Sequence, residues 1–220
     1  MRGCGPSLSR LQAKAEAGDA ASQHQVSRLL QWGEGTPVDL PKAFEWAKKS
    51  AAANHALGQY RLGLMYRYGV GVDPDEKKSN EYLKRAATGL PALAKAGQPP
   101  ARRALAHLHY RGWGGLKMDK AAALREFQRG AEAGDALALN EVADQYWDGR
   151  GVRRDRDHAR KLYREVLPRL MTLGEQGSVQ AMYAAGNLWG SHRTGRRDYV
   201  ESIRWYRPAA EHGYAAAQFL

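Results

Sequence analysis

The sequence predicts an all-helical protein, an α-solenoid of about five helix–turn–helix units. Three observations predict it. The first is the stretch Leu62 to Gly89, LGLMYRYGVGVDPDEKKSNEYLKRAATG. Leu62, Met65 and Tyr66 make an i, i+3, i+4 apolar stripe, as an amphipathic helix requires. Gly69 and Gly71 end that helix, because glycine accepts the left-handed backbone of a C-cap. Asp73-Pro74-Asp75 then opens a second helix with Ser79, Tyr82, Leu83, Ala86 and Ala87 on one side. The second observation is recurrence. The glycine turn returns as Gly33-Glu34-Gly35, Gly69-Val70-Gly71, Gly112-Trp113-Gly114 and Gly149-Arg150-Gly151, at spacings of 36, 43 and 37 residues. The third is register. Seven residues before each first glycine stands Val26, Leu62, Leu105 or Val142, followed each time by a small residue, Ser27, Gly63, Ala106 or Ala143. A helix pair repeated at such a period buries its apolar face only against its neighbours, which is the logic of a solenoid.

The elements follow in order. Residues 1–10 are a polar lead-in, and the array runs as one domain from 11 to 220. LQAKAEAG, residues 11–18, reads as the second helix of an incomplete opening unit. Unit one covers 20–54: a first helix to Trp32, the turn, and a second helix from Pro41, where a missing N–H does no harm. Unit two covers 56–97 and carries the extra sequence GLPALAKAGQPP. Pro99-Pro100 predicts an extended break before the next helix. Unit three covers 101–134, with Leu105 and Leu108 in its first helix and Leu124 and Phe127 in its second. Unit four covers 136–177, with extra sequence, VLPRLMTLGEQG, at the matching place. Leu90–Leu93 and Leu167–Leu170 both read LPxL, 77 residues apart, which suggests that two adjacent units were duplicated together.

Unit five covers 178–213 and departs from the pattern. His192 stands where the first turn glycine belongs, so SHRTGRRD is expected to form a looser turn. Pro208 falls inside the second helix, where proline removes a hydrogen bond, and predicts a kink or an early end. YAAAQFL, residues 214–220, begins another first helix, with Phe219 and Leu220 left without a polar cap.

These residues resemble the Sel-1-like repeats, relatives of the tetratricopeptide repeats. The shared pattern is L-G-x-x-Y-x-x-G-x-G-V, an aspartate, then K-A-x-x-W-Y-x-K-A-A-x-x-G. KAFEWAKKSA from Lys42, KSNEYLKRAA from Lys78 and ESIRWYRPAA from Glu201 are its second halves, and AEAGDA recurs verbatim at 15–20 and 131–136. The resemblance covers about Gln12 to Leu220. It implies a right-handed superhelix that binds other proteins and has no catalytic centre. Members of the family serve as adaptors, as host-contact factors of pathogens and as immunity proteins against secreted toxins.

Composition narrows the classes further. At 43% hydrophobic residues the chain has enough apolar surface to bury a core. The net charge of +11 is spread, with 16 basic and 9 acidic residues up to 110 and 18 and 14 beyond. A basic surface favours acidic partners or simply keeps a long surface soluble. Cys4 is the one cysteine, so no disulfide framework exists within the chain. No stretch approaches the ~18 apolar residues of a membrane span. Gly3-Cys4-Gly5 resembles the processed end of a bacterial lipoprotein, whose cysteine carries lipid. That predicts the periplasm, in a chain trimmed of its signal, against the alternative of an ordinary tail on a cytoplasmic protein.

In each first helix the positions nine, five and two before the turn glycine share one face. They read His24, Arg28, Gln31; Tyr60, Leu64, Arg67; Arg103, His107, Tyr110; Asn140, Asp144, Trp147; and, in unit five, Tyr183 and Asn187. They vary while the core columns stay apolar, and Tyr, Trp and Arg are the commonest binding hot spots. The predicted partner-binding residues are Arg28, Tyr60, Arg67, His107, Tyr110, Asp144, Trp147 and Asn187, on the concave face that related solenoids line with first helices. The groove is centred on Arg67, His107, Tyr110 and Trp147. The competing reading has Tyr110 and Trp147 packing between repeats.

Residue chemistry points to no reaction. His107 and His109 lie two apart and off one face of a helix, with no third ligand spaced for zinc. Gly112-Trp113-Gly114-Gly115 follows a helix instead of a strand and fails as a phosphate loop. Asp73-Pro74-Asp75-Glu76 lacks calcium-loop spacing and suits a helix N-terminus. RRDRDHARK, residues 153–161, interleaves acids with its bases, as a solvated helix face does. Neither a catalytic residue, a metal nor a cofactor is expected. The prediction is a monomeric, non-enzymatic scaffold for one protein partner, an immunity protein or adaptor that neutralises an acidic secreted effector, such as a lipase, of a type VI-like system. Nucleic acid is not expected, and membrane contact only through a lipidated Cys4. The alternative is an anion-binding protein whose basic surface meets nucleic acid or lipid headgroups, marked by steep salt dependence.

Overall fold

The computed structural model describes residues 8–211, which form eleven α-helices with no strand among them. They are α1 (Leu8–Glu16), α2 (Ala20–Trp32), α3 (Leu40–Ala52), α4 (Ala56–Tyr68), α5 (Glu76–Lys95), α6 (Pro99–Arg111), α7 (Lys120–Glu132), α8 (Ala136–Asp148), α9 (Arg156–Glu175), α10 (Val179–Gly190) and α11 (Tyr199–Glu211). The chain divides into two compact units, Met1–Asp119 and Lys120–Leu220. In the first, α2 packs on α3, α4 on α5, and each pair on the next helix in sequence. In the second, α8 packs on α9 and α10 on α11 in the same way.

One short motif, a glycine cap followed by an aspartate, closes the first four repeats. The glycines at 33, 69, 112 and 149 are left-handed C-caps, with φ between 67° and 73°. A few residues later an aspartate ties the two helices together through its backbone. The N–H of Asp39 donates to Leu30, Asp75 to Tyr66, Asp119 to His109, Asp155 to Tyr146 and Asp198 to Trp189, at 2.8–3.0 Å. The carboxylates of Asp39, Asp75 and Asp155 also accept the N–H three residues on and cap the second helix. Asp198 does the same with two amides. Repeat five therefore closes on the aspartate without a glycine cap. Its first helix ends at Ser191 in extended backbone, and the left-handed residue moves to Gly195.

The core lies between the paired helices. Val26, Leu62, Leu83, Leu90 and Leu108 are fully buried in the first unit, and Phe127, Tyr163, Val166, Leu170 and Leu188 nearly or fully so in the second. The small column lets the helices touch. The Ser27 hydroxyl donates to the Ala43 carbonyl at 2.7 Å, and a Cβ on Gly63 would stand 2.8 Å from Leu83 Cδ2.

Several expectations are corrected. α1 begins at Leu8, inside the stretch read as lead-in. Pro99 and Pro100 do not break the chain before α6; they are its first two residues, where no intrahelical N–H is required. The connection is Ala96-Gly97-Gln98. Pro208 does not end α11, which continues to Glu211. Pro208 has no N–H to offer the Arg204 carbonyl, the loss of a single intrahelical donor. The two LPxL insertions add no separate element. They lengthen α5 and α9 to 20 residues, against 13 for α3 and α7.

That lengthening has a register consequence at the second turn glycine, which abuts the preceding repeat. A Cβ on Gly71 would lie 2.2 Å from the carbonyl oxygen of Leu40, the first residue of α3, and one on Gly151 2.4 Å from that of Lys120, the first of α7. Gly114 meets Leu83, the eighth residue of α5, at 2.6 Å. Seven added residues are two helical turns, so the contact moves along α5 and stays on the same face. Cys4 and residues 214–220 lie outside the described residues.

Candidate partner-binding site

Each unit holds its own group of the variable first-helix residues. In the first unit, the column five before the turn glycine turns inward. Arg28 forms an ion pair with the buried Glu34, and Leu64 packs against the core. Burial, aided by the Arg103 and Arg111 guanidiniums, pushes the His107 imidazole down to about 4, so it is neutral at pH 7. His24 is buried as well and pushed well down by desolvation, then by Arg61, His55 and Arg28. Arg61 hydrogen-bonds Gln31 Oε1 at 2.5 Å. Burial and Arg28 lower it to about 9, which leaves it cationic. Tyr60 is half-buried and also has a partner within the protein.

The column two before the glycine is different. The Arg67 guanidinium lies 4.4 Å from the centre of the Trp113 ring and donates to Asn80 Oδ1 at 2.8 Å. Arg111 approaches Trp113 at 5.7 Å and Tyr110 at 5.4 Å, and Tyr68, 61% exposed, meets the edge of Trp113. Arg67, Tyr110 and Trp113 are all partly exposed. The result is an aromatic–guanidinium patch, each cation held over a ring face.

In the second unit Asp144 accepts from the Tyr163 hydroxyl and from Arg193, both at 2.6 Å. Burial raises its carboxyl above the usual range, against the pull of Arg193. Asn187 accepts from Tyr206 at 2.7 Å, the equivalent bond one repeat later. Burial raises that tyrosine to about 12. Trp147 packs edge-on against Tyr163 of its own repeat and carries Arg156 at 4.9 Å and Arg160 at 5.7 Å. Of the predicted residues, then, Arg28, Asp144 and Asn187 serve internal bonds and His107 is desolvated, while Arg67, Tyr110 and Trp147 sit in arginine–aromatic groups that reach the surface. Arg67 and Tyr110 share one such group; Trp147 belongs to the other unit.

Sequence reasoning missed Trp113, Arg111 and Tyr68, which complete the first group. Trp113 stands between two turn glycines and reads as part of the turn. Its large ring where other repeats carry Glu34, Val70 or Arg150 was the available signal. Among the described residues no group of three His, Cys, Asp or Glu is placed to hold a metal ion, and no helix is long and apolar enough to cross a membrane.

The family model of the Sel1 repeat matches residues 20–55, 56–89, 99–135, 136–165 and 179–214. The chain belongs to the Sel1 repeat family. Its fold is accordingly an α-solenoid of five Sel1 repeats. No curated protein matches the sequence significantly. A crystal structure of a protein from Klebsiella pneumoniae assigned to the Sel1 repeats has the same fold, at 19% identity and a TM-score of 0.52, covering 96% of each chain. A Sel1 repeat protein from Oxalobacter formigenes is 26% identical over 96% of this chain and 86% of its own, at a TM-score of 0.48. The immunity protein Pa5087 of Pseudomonas aeruginosa is 20% identical over 96% of this chain and 75% of its own, also at 0.48. Sel1 repeat proteins generally mediate protein–protein interactions and are typically non-catalytic scaffolds.

Proposed function

We propose that this chain is a non-enzymatic scaffold that binds one specific protein partner. The observation that carries the reading is the patch of Arg67, Arg111, Trp113, Tyr110 and Tyr68 on Sel1 repeats two and three. Arginine and aromatic side chains of this kind dominate interface energetics. Stacking also fixes each guanidinium before a partner arrives and lowers the entropy cost of docking. The net charge of +11 favours an acidic partner.

The finer reading is an immunity protein or adaptor that neutralises a secreted effector of a type VI-like system. It rests on what the family resemblance implies, and it carries with it a periplasmic location. The experiment is capture with this chain as bait from the source organism, read by mass spectrometry, with cell fractionation alongside. A single stoichiometric secreted enzyme, inhibited on binding, is the expected outcome. Recovery of salt-sensitive nucleic acid or lipid with no protein would overturn the reading.

A further inference from the structure

The loop that closes the fifth Sel1 repeat, SHRTGRRD, is where the chain departs furthest from its own pattern. In the second unit it borders a surface depression of about 620 Å³ lined by Asp157, Arg160, Lys161, Arg164, His192 and Gly195. The loop is pinned from behind. Arg193 reaches back to Asp144, so its charge is balanced inside the unit. Thr194 donates its hydroxyl to the Arg196 carbonyl at 2.9 Å and accepts the Arg164 Nε–H on its own carbonyl at 3.0 Å. Gly195 has a φ of +94°, and a Cβ there would stand 2.9 Å from Arg164 Nη2. The positive φ is what asks for glycine here, since the tip of the Arg164 side chain can give way.

These contacts separate the cations by role. Arg160 is balanced by Asp157 at 2.9 Å and leans toward Trp147. Lys161 is exposed, and Arg164, anchored by its Nε, lines the depression. We infer that this depression docks an acidic segment of a protein partner, whose spaced carboxylates pair with Lys161 and Arg164. The inference rests on the reading of the chain as a protein-binding scaffold and adds a place and a chemistry to it.

Three features favour a peptide over other anions. The cations are spread along one turn of α9 at i, i+1 and i+4 instead of converging, as a lone phosphate would require. The depression has the size of a ligand site. With Asp157 paired to Arg160, Lys161 and Arg164 remain to meet discrete carboxylates, too few cations for a continuous polyanion. An anchored guanidinium gives a charge-assisted bond with little ordering cost.

The test is fluorescence anisotropy of the full chain with a labelled Gly-Glu-Asp-Gly-Glu-Asp-Gly peptide, at low and at physiological ionic strength. Arg164→Gln and Lys161→Gln are compared with Arg85→Gln, which removes one exposed charge paired with Glu81 in the other unit. All three sites are exposed, so circular dichroism is expected to be unchanged. The peptide is expected to bind, each α9 variant to weaken it by about tenfold or more, and Arg85→Gln to leave it alone. Excess inorganic phosphate should compete no better than chloride at equal ionic strength, and a single-stranded oligonucleotide should bind no tighter than the peptide. An unbound peptide, an equal loss in Arg85→Gln, displacement by phosphate or a tighter oligonucleotide would each overturn the dock. Loss of the peptide with protein capture intact refutes the dock alone. Failed capture with the peptide bound refutes the partner reading alone.

Discussion

Gly71→Ala and Gly35→Ala form a matched pair that isolates inter-repeat packing. Both glycines stand second in a repeat turn, and both have a φ of +71°. An alanine there pays the left-handed backbone penalty, about 1 kcal/mol in either case. The surroundings differ. A Cβ at Gly35 meets nothing within 4 Å, whereas one at Gly71 would lie 2.2 Å from the Leu40 oxygen and 2.6 Å from its carbonyl carbon. Those are backbone atoms at the start of α3, so the repeat must shift, at the ~1–3 kcal/mol usual for overpacking. Gly71→Ala is therefore expected to destabilise by about 2–4 kcal/mol and Gly35→Ala by about 1 kcal/mol. Urea titration followed by circular dichroism reads both midpoints. Because the two sites share a unit, a common denatured state cancels in the comparison. Equal losses would mean that the glycine is kept for its dihedral alone, and that the register argument drawn from Gly71, Gly114 and Gly151 is wrong.

Other outcomes follow from the same contacts. His107 has a folded pKa near 4 against an unfolded 6.5, so the unfolded chain binds the extra proton; its contribution is intact above pH 6.5 and is lost as the pH falls toward 4, by about 3 kcal/mol at most. His107→Gln should flatten the stability profile in that window, and an unchanged slope would place the titration elsewhere. Arg193→Ala leaves Asp144 with Tyr163 as its one remaining hydrogen-bond donor in this pair of contacts and should cost about 1–3 kcal/mol, with faster amide exchange across residues 191–198. No change in that loop's exchange would show that Asp144 does not hold it. Arg67→Glu combined with Trp147→Ala should abolish capture of the partner, about 2 kcal/mol or more per hot spot, with helix content unchanged; retained capture would move the interface off both arginine–aromatic groups.

Much of the fold is determined by the sequence alone because its signals are local. An apolar i, i+3, i+4 stripe, a glycine able to turn left-handed and an aspartate able to cap the next helix act within a dozen residues. Repetition then multiplies each signal until the periodicity identifies the family. The prolines are less legible because their effect depends on position within a helix. Pro99 and Pro100 are harmless at an N-terminus and Pro208 is tolerated near a C-terminus, and helix ends are the least certain feature of a pattern.

The surface was less legible. Periodicity placed Arg67 and Asp144 in equivalent helices and gave them the same role. Tertiary structure separated them, because Asp144 meets a tyrosine hydroxyl from the next helix and an arginine 49 residues away, while Arg67 meets a tryptophan ring from the following turn. Whether a polar side chain is satisfied inside or left for a partner depends on atoms distant in sequence. Column patterns say which residues share a face. Only the packed chain decides which of them still have something to offer at the surface.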